Sequence, residues 1–315
     1  MKNQRNFPLA VILGPTAVGK TELSLKLAGE VNIEIISADS MQVYREMDIG
    51  TAKAGPEIRE KIPHHMLDII NPEEQFSVAE YQNKVDEIIP QICNRDHLPV
   101  MVGGTGLYIR AVTEGFMLPE MEKDKQLRER LQKKAKNEGN KAVHSKLAEV
   151  DPQLAEKLHP NDLRRVIRGL EIYQQTGKTK TYFKKMQQER PPRYRVLKIG
   201  LKRPREKLYE RINRRVDLMM EQGLEKEVCE LYQKYDLSQT ALQAVGYKEL
   251  INYFTGQYDK KEAVRLIKRN TRHLAKKQLT WFKRDESIKW FDLSKLTYKQ
   301  VNEKCVKLIK NRFQV

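Results

Sequence analysis

Gly14-Pro15-Thr16-Ala17-Val18-Gly19-Lys20-Thr21 is a complete phosphate-binding loop, and the apolar run Pro8-Leu9-Ala10-Val11-Ile12-Leu13 leads straight into it. The chemistry requires that pattern. Its glycines let backbone amides wrap oxygen atoms, Lys20 supplies a mobile cation, and Thr21 offers a hydroxyl to magnesium at a helix N-terminus. The context that confirms the motif is present on both sides. A strand-like segment precedes it, and Glu22-Leu23-Ser24-Leu25-Lys26-Leu27-Ala28 follows with helix-forming residues. The chain is therefore expected to grip a phosphate chain through residues 14–21.

Working outward, short apolar segments rich in branched residues recur at Leu9 to Leu13, Glu34 to Ser37, Met66 to Ile69 and Pro99 to Val102, separated by helix-like stretches. That alternation predicts an α/β fold, a P-loop NTPase-like parallel sheet flanked by helices. Ser77 and Glu80 form a capping box ahead of apolar Val78, Tyr81, Val85, Ile88 and Ile89, which predicts a helix. Inside it Asn83-Lys84-Val85-Asp86 spells a guanine-reading string, but mid-helix it lacks the preceding buried strand and is read as accidental. From Leu118 the composition turns to charged helix formers, as in Lys123 to Lys136 and Asp162 to Gln175, and strand candidates cease until Tyr194 to Leu201. The expected organisation is a core of residues 1–117 and 195–315, whose last part is helical, and an inserted all-helical subdomain at 118–194. His64-His65 reads as a strand end rather than a ligand pair.

With 315 residues, 39% of them hydrophobic, the chain can bury a substantial core. No charged-then-apolar leader and no membrane-length apolar run is present, so a soluble, cytoplasmic protein without a membrane partner is expected. Cys93, Cys229 and Cys305 are far apart and odd in number, which argues against a disulfide framework or a zinc cluster. The net charge of +17 is unevenly spread. Residues 1–117 carry 11 Lys and Arg against 16 Asp and Glu; residues 118–195 carry 20 against 11, and residues 196–315 carry 28 against 15. A phosphate-binding part of net −5 joined to parts of +9 and +13 suits a polyanionic macromolecule, nucleic acid above all.

Two further constellations fall at expected strand ends. Asp39, within Ser37 to Tyr44, is placed to organise magnesium or to act as a general base near the reacting phosphate; an N-cap or turn cap is the competing role. Gly103-Gly104-Thr105-Gly106-Leu107-Tyr108 permits close backbone approach and offers the Thr105 hydroxyl at the same edge. In the helical parts, Arg164-Arg165 and the set Arg211, Arg214 and Arg215 suit phosphate contacts or a solvated helix face. Leu266 to Arg284 interleaves basic residues with Trp281 and Phe282, which fits a backbone-tracking surface, although such aromatics commonly anchor a terminal helix in a core.

Together, GPTAVGKT at 14–21, ISADSMQVYREMDIGTAK at 36–53, VGGTGLY at 102–108, NDLRRVIRGLEIY at 161–173, AVGYKE at 244–249 and TRHLAKKQLTWF at 271–282 resemble the tRNA dimethylallyltransferases. The resemblance spans Pro8 to about Arg284. It implies transfer of a five-carbon prenyl group from dimethylallyl diphosphate to N6 of the adenosine 3′ of the anticodon, with release of diphosphate and with Mg2+ as cofactor. It assigns Gly14, Pro15, Thr16, Ala17, Val18, Gly19, Lys20 and Thr21 to the diphosphate, with Thr21 also on magnesium. Asp39 becomes the proton acceptor, Thr105 a partner steadying adenine or donor phosphates, and Arg211 a diphosphate contact. Contacts to tRNA are implied for Asp39, Ser40, Met41, Gln42 and Thr105, for Asn161, Asp162, Leu163, Arg164 and Arg165, and for Gln243, Ala244, Val245, Gly246, Tyr247 and Lys248. The inserted helices are implied to clasp the anticodon stem. The target base must leave its stack to be modified. A bacterial-type enzyme without the zinc finger of some eukaryotic relatives, acting as a monomer, is the expected form.

Three other readings use the same residues. A relative that prenylates free adenine nucleotides would need the loop and carboxylate but not a basic insert. A small-molecule kinase would turn over nucleotide and ignore RNA. A non-catalytic RNA-binding regulator would need none of Lys20, Thr21 and Asp39 together.

Overall fold

The protein is described from a computed structural model covering residues 6–119, 121 and 124–314. It divides into two compact units, residues 1–113 with 193–315, and residues 114–192. The unit boundaries fall at 114 and 192 where the sequence suggests 118 and 194, and Lys123, read as the start of a helix, lies outside the described residues.

In the first unit, β1 (Phe7–Leu13) runs into the phosphate loop and α1 (Lys20–Ala28); β2 (Ile33–Ala38), α2 (Pro56–Lys61), β3 (His64–His65), α3 (Val78–Cys93), β4 (Leu98–Gly103) and α4 (Gly106–Thr113) follow. The second unit holds α5 (Lys125–Glu138), α6 (Asn140–Val150), α7 (Pro152–Lys157), α8 (Leu163–Thr176) and α9 (Lys180–Gln188). The chain then returns to the first unit with β5 (Tyr194–Lys202), α10 (Arg205–Glu221), α11 (Leu224–Lys234), α12 (Gln239–Leu242), α13 (Tyr247–Phe254), α14 (Lys260–Phe282), β6 (Ile288–Asp292) and α15 (Tyr298–Phe313).

The six strands form one all-parallel, P-loop-type sheet in the order β3-β2-β4-β1-β5-β6. Central β1 pairs with β4 from Ala10↔Val100 to Leu13↔Gly103 and with β5 from Phe7↔Tyr194 to Leu13↔Gly200. Leu9 to Leu13 are at most 1% exposed, because helices cover both faces, and a strand buried on both faces reads as an unbroken apolar run. One face packs Ala10, Ile12 and Val100 against α1, α10 and α15; the other packs Leu9, Val11 and Met101 against α3, α4 and Phe282 of α14. Each fully buried aliphatic side chain there contributes roughly 1.5–3 kcal/mol. A third cluster surrounds Val43, Tyr44 and Met47 with residues of α10 to α14.

Several expectations are corrected. Met66 to Ile69 is not a strand: the pairing falls on His64 and His65, and Met66 and Asp68 take positive φ of 63° and 55°. The Asp68 carboxylate is drawn off to Lys53 at 2.7 Å and Arg59 at 2.6 Å, which bends the segment away from the ladder. The tail is not all helical, since β6 adds a sixth strand beside β5, from Lys198↔Ile288 to Lys202↔Asp292. The capping box at Ser77 and Glu80 is present, and Asn83 to Asp86 lies inside α3. His65 Nε2 donates to the buried Glu34 carboxylate at 2.6 Å, a structural role.

In the second unit α5 to α8 close over Leu127, Leu131, Val143, Leu147 and Val166. Its buried Glu171 takes two hydrogen bonds from Arg128, each 2.7 Å, one from Arg168 at 2.6 Å and one from the Asp124 amide at 3.0 Å. Arg164 and Arg165 stand in the first turn of α8, where Arg165 pairs with Asp162 at 3.2 Å.

Candidate active site

Parallel packing brings the C-terminal ends of β1, β2, β4 and β5 to one edge, where ligands bind in open α/β sheets. The loop from Gly14 to Gly19 enters the left-handed region at Ala17 (φ 61°) and Gly19 (φ 114°), the kind of backbone turn that gathers amides into an anion-binding concavity. Its carbonyls are taken by cations. Lys20 Nζ donates to Gly14 O at 3.0 Å and Pro15 O at 2.9 Å, Arg211 Nε to Ala17 O at 3.0 Å, and Arg203 Nε to Val18 O at 3.1 Å. The Thr16 amide donates to Gln278 Oε1 of α14 at 2.9 Å. Thr21 is exposed in the first turn of α1.

Asp39 follows β2 directly, and its Oδ1 accepts the Met41 amide at 2.9 Å, a turn-capping bond that leaves the second carboxylate oxygen out of that turn. The cap and the chemistry are therefore compatible in one side chain. Thr105 follows β4 and is tied to the same turn: its Oγ1 accepts the Ser40 amide at 3.0 Å, and its own amide donates to Ala38 O at 3.0 Å. Gln42 is fixed too, accepting from Ser37 Oγ at 2.7 Å and donating to Thr51 O at 3.1 Å.

The charges of the edge are coupled. Burial pulls the Lys20 ammonium down to about 8; the Asp39 carboxylate works against that and the Arg215 guanidinium adds to it. Burial likewise lowers Arg215, opposed by Asp39 and reinforced by Arg211. Arg211, which donates to the loop carbonyl of Ala17, and half-buried Arg215, one turn further along α10, thus serve this site. Beneath Asp39, Tyr81 and Tyr108 stack with centroids 3.9 Å apart, and burial first, with Asp39 adding to it, holds both hydroxyls neutral. Trp281, 37% exposed, lies against Gly106, where a Cβ would come within 2.2 Å of its ring, while Phe282 enters the core.

The structure therefore gathers residues 14–21, Asp39 to Gln42, Thr105 and Arg211 at one edge. Gln243 to Gly246 connect α12 and α13, Tyr247 and Lys248 open α13, and Tyr247 reaches the 48–50 loop through a shared partner: Glu227 accepts the Tyr247 hydroxyl at 2.5 Å and the amides of Asp48, Ile49 and Gly50 at 2.7 to 3.1 Å. Asn161 to Arg165 belong to the second unit. Sequence reasoning missed Arg203, Gln278 and Tyr298. Gln278 sits within the quoted 271–282 stretch, but Arg203 and Tyr298 carry no motif of their own.

Among the described residues no group of three or more His, Cys, Asp or Glu side chains could hold a metal ion. The Thr21 hydroxyl and the Asp39 carboxylate are hard oxygen donors, a set that suits magnesium in combination with phosphate oxygens and water rather than as a protein cage. No described helix is long and apolar enough to cross a membrane.

The IPP transferase family model matches residues 42–285, and a second, described as isopentenyl transferase, matches residues 7–68. The chain is 62% identical over 304 residues to the tRNA dimethylallyltransferase of Halothermothrix orenii, spanning 96% of this chain and 93% of that protein. It is 48% identical over 292 residues to that of Bacillus subtilis, covering 93% of each. Among solved structures, the full-length tRNA isopentenylpyrophosphate transferase from Bacillus halodurans superposes with a TM-score of 0.73 at 42% identity, covering 98% of this chain and 97% of that one. A eukaryotic dimethylallyltransferase acting on tRNA superposes with a TM-score of 0.83 at 28% identity, covering 97% and 80%.

Proposed function

Because the chain belongs to the IPP transferase family, we propose that it transfers the dimethylallyl group of dimethylallyl diphosphate to N6 of the adenosine next to the anticodon on its 3′ side in tRNA. The observation that carries this reading is the joint placement of a carboxylate, Asp39, and a cationic phosphate loop at one sheet edge, coupled through Lys20 and Arg215.

The loop amides with Lys20, Arg211 and Arg215 bind the diphosphate of the donor. Their positive charge favours the electrons that move onto the leaving oxygen as the carbon–oxygen bond breaks. Asp39, held by the Met41 amide, accepts the proton that the adenine amine loses as its nitrogen bonds to the prenyl carbon. Thr105 keeps the Asp39 turn in place through the Ser40 amide and offers its hydroxyl to adenine or phosphate. Stacked Tyr81 and Tyr108, both buried in the core, brace the end of β2 that leads into Asp39, Tyr81 donating its hydroxyl to Ser37 O at 2.8 Å. Magnesium held by Thr21 and the donor phosphates would add charge neutralisation at the leaving group. The basic second unit, with Asn161 to Arg165, and the Gln243 to Lys248 segment are assigned to the tRNA, contacts that position the anticodon stem-loop so that the base is read outside its stack. The enzyme is taken to act as a monomer in the cytoplasm, where its RNA substrate is found.

The test is incubation of the purified protein with unmodified tRNA, magnesium and radiolabelled dimethylallyl diphosphate, beside AMP-acceptor and ATP-only controls. Label in tRNA alone is the expected result. Label in AMP would transfer the reading to free nucleotides, and ATP turnover without transfer would make it a kinase.

A further inference from the structure

The match to the IPP transferase family model ends at residue 285, yet β6 and α15, which lie beyond it, reach the phosphate loop. Thr297 and Gln300 form a capping box that fixes Tyr298 as the first residue of α15. Val301 and Cys305 of that helix bury in the same cluster as Leu23 and Leu27 of α1. The Tyr298 hydroxyl is thereby delivered to Gly19, where an added Cβ would stand 2.0 Å from it. The φ of 114° calls for glycine there, and a Cβ would in addition push the Tyr298 hydroxyl out of its place.

Arg203, in the turn between β5 and α10, closes on the same point. Its guanidinium donates to Val18 O at 3.1 Å, to Leu293 O at 2.9 Å and to the Tyr298 hydroxyl at 3.2 Å, and it lies over the Tyr298 ring at 5.8 Å. Glu22, in the first turn of α1, also engages that hydroxyl. The geometry has a direct consequence for the loop. In a planar trans peptide the carbonyl and the following amide point in opposite directions, so a Val18 carbonyl held by Arg203 aims the Gly19 amide the other way, to the phosphate side.

We infer that Arg203 and Tyr298 are positioning residues that lock the Val18–Gly19 peptide with its amide facing the diphosphate, and that segment 288–313 thereby sets affinity for the prenyl donor. The inference rests on the diphosphate reading of the loop. Arg203 and Tyr298 touch loop backbone and each other, so they act through the loop.

Arg203→Gln removes the fork and Tyr298→Phe removes only the hydroxyl while keeping the ring. Inorganic diphosphate binding by calorimetry, KM for donor and for tRNA, hydrogen exchange at the Gly19 amide and Tm are measured on each. Diphosphate affinity should fall and donor KM rise on the order of tenfold in Arg203→Gln and about threefold in Tyr298→Phe, the scale of one lost hydrogen bond. The Gly19 amide should exchange faster, with KM for tRNA unchanged. Arg203→Lys, which can still reach Val18 O but not all three acceptors, should fall between Arg203→Gln and the unaltered protein. Unaltered diphosphate affinity and unaltered Gly19 exchange would overturn the inference, as would donor and tRNA KM rising together in step with a lower Tm. An unaltered protein that fails to bind diphosphate at all would remove the loop reading itself, and the inference with it, before any variant is compared.

Discussion

Replacing Asp39 by Asn separates two contributions that most active-site substitutions confound. Asn keeps an Oδ1 for the Met41 amide, so the turn that holds residues 39 to 42 survives with its 2.9 Å bond. What is lost is the proton acceptor and one negative charge. Loss of a general base costs 10²–10⁴ in rate, about 2.7–5.5 kcal/mol at the barrier. The charge acts in the opposite direction on binding. Asp39 is the counter-charge of both Lys20 and Arg215, so its neutralisation leaves a more positive edge for the diphosphate wherever Lys20 stays protonated; because Asp39 also holds the Lys20 ammonium up against burial, both quantities are measured near pH 6, well below 8. Diphosphate affinity should therefore hold or improve by a few-fold while transfer slows at least a hundredfold. Single-turnover transfer of labelled prenyl group to tRNA gives the first quantity, and calorimetry with inorganic diphosphate gives the second. A variant that transfers within threefold of the unaltered enzyme would falsify the base assignment. A parallel loss of diphosphate affinity would instead mean that the substitution had collapsed the turn, and that the coupling of Asp39 to the loop cations had been misread.

The ammonium of Lys20, lowered to about 8 by burial, predicts that diphosphate binding weakens as pH rises above 8, by up to tenfold per unit; calorimetry from pH 7 to 9.5 on the protein and on Lys20→Arg, in which the inflection should vanish, checks it. Binding of tRNA should be steeply salt dependent: if about five phosphates are neutralised, doubling the salt weakens it roughly twentyfold, and a flat response in filter binding would show that the basic regions are not the RNA surface. Glu34, 2% exposed, titrates at about 2 because Arg95 above all, then His97 and His65, holds it ionised against the cost of burial. Its contribution to stability should be complete above its ordinary 4.5 and be lost as pH falls towards 2. Glu34→Gln should destabilise the protein by about 3 kcal/mol at pH 7, as the difference in denaturant unfolding, and that difference should shrink in acid.

What was legible in the sequence follows from what leaves a one-dimensional trace. β1 is buried on both faces and so is apolar at every position, and the loop after it is constrained by backbone geometry at fixed spacings, which is why Gly14 to Thr21 could be read outright. Edge elements leave less. β3 has two residues and β6 has five, of which only Ile288 is buried, so neither produces the apolar run by which a strand is recognised. Met66 to Ile69 carried the run without the strand, since composition could not reveal that Lys53 and Arg59 would bend Asp68 out of the ladder. Arg211, Arg214 and Arg215 all read as candidates for phosphate, with the resemblance singling out Arg211, but that Arg215 shares its work is a matter of helical phase plus burial on α10. Nothing in the local sequence around Arg203 or Tyr298 marks them, because their partners Val18, Gly19 and Leu293 are backbone atoms far away in the chain.

That last case exposes a division of labour in the cations around the loop. An amide cradle needs its N–H groups aimed at the ligand, and planar peptides then turn the carbonyls outward, where each must find a donor. Here the donors are long basic side chains brought from elsewhere: Arg203 for Val18, Arg211 for Ala17, and Lys20 for Gly14 and Pro15. Charged donors serve better than neutral ones, because each fixes a carbonyl and adds positive potential where an anion is to bind. Lys20 differs from the arginines in having three N–H groups on one mobile ammonium, two of them used on loop carbonyls and a third that can reach a phosphate oxygen. Arg203, which shapes the loop, and Lys20, which meets the substrate, are therefore separable. Arg203 substitutions should change how well diphosphate binds without moving the pH near 8 at which binding starts to fail, whereas Lys20→Arg should abolish that inflection. If Arg203→Gln shifted the inflection by a full unit, the loop cations would be one electrostatic system and the separation would not hold.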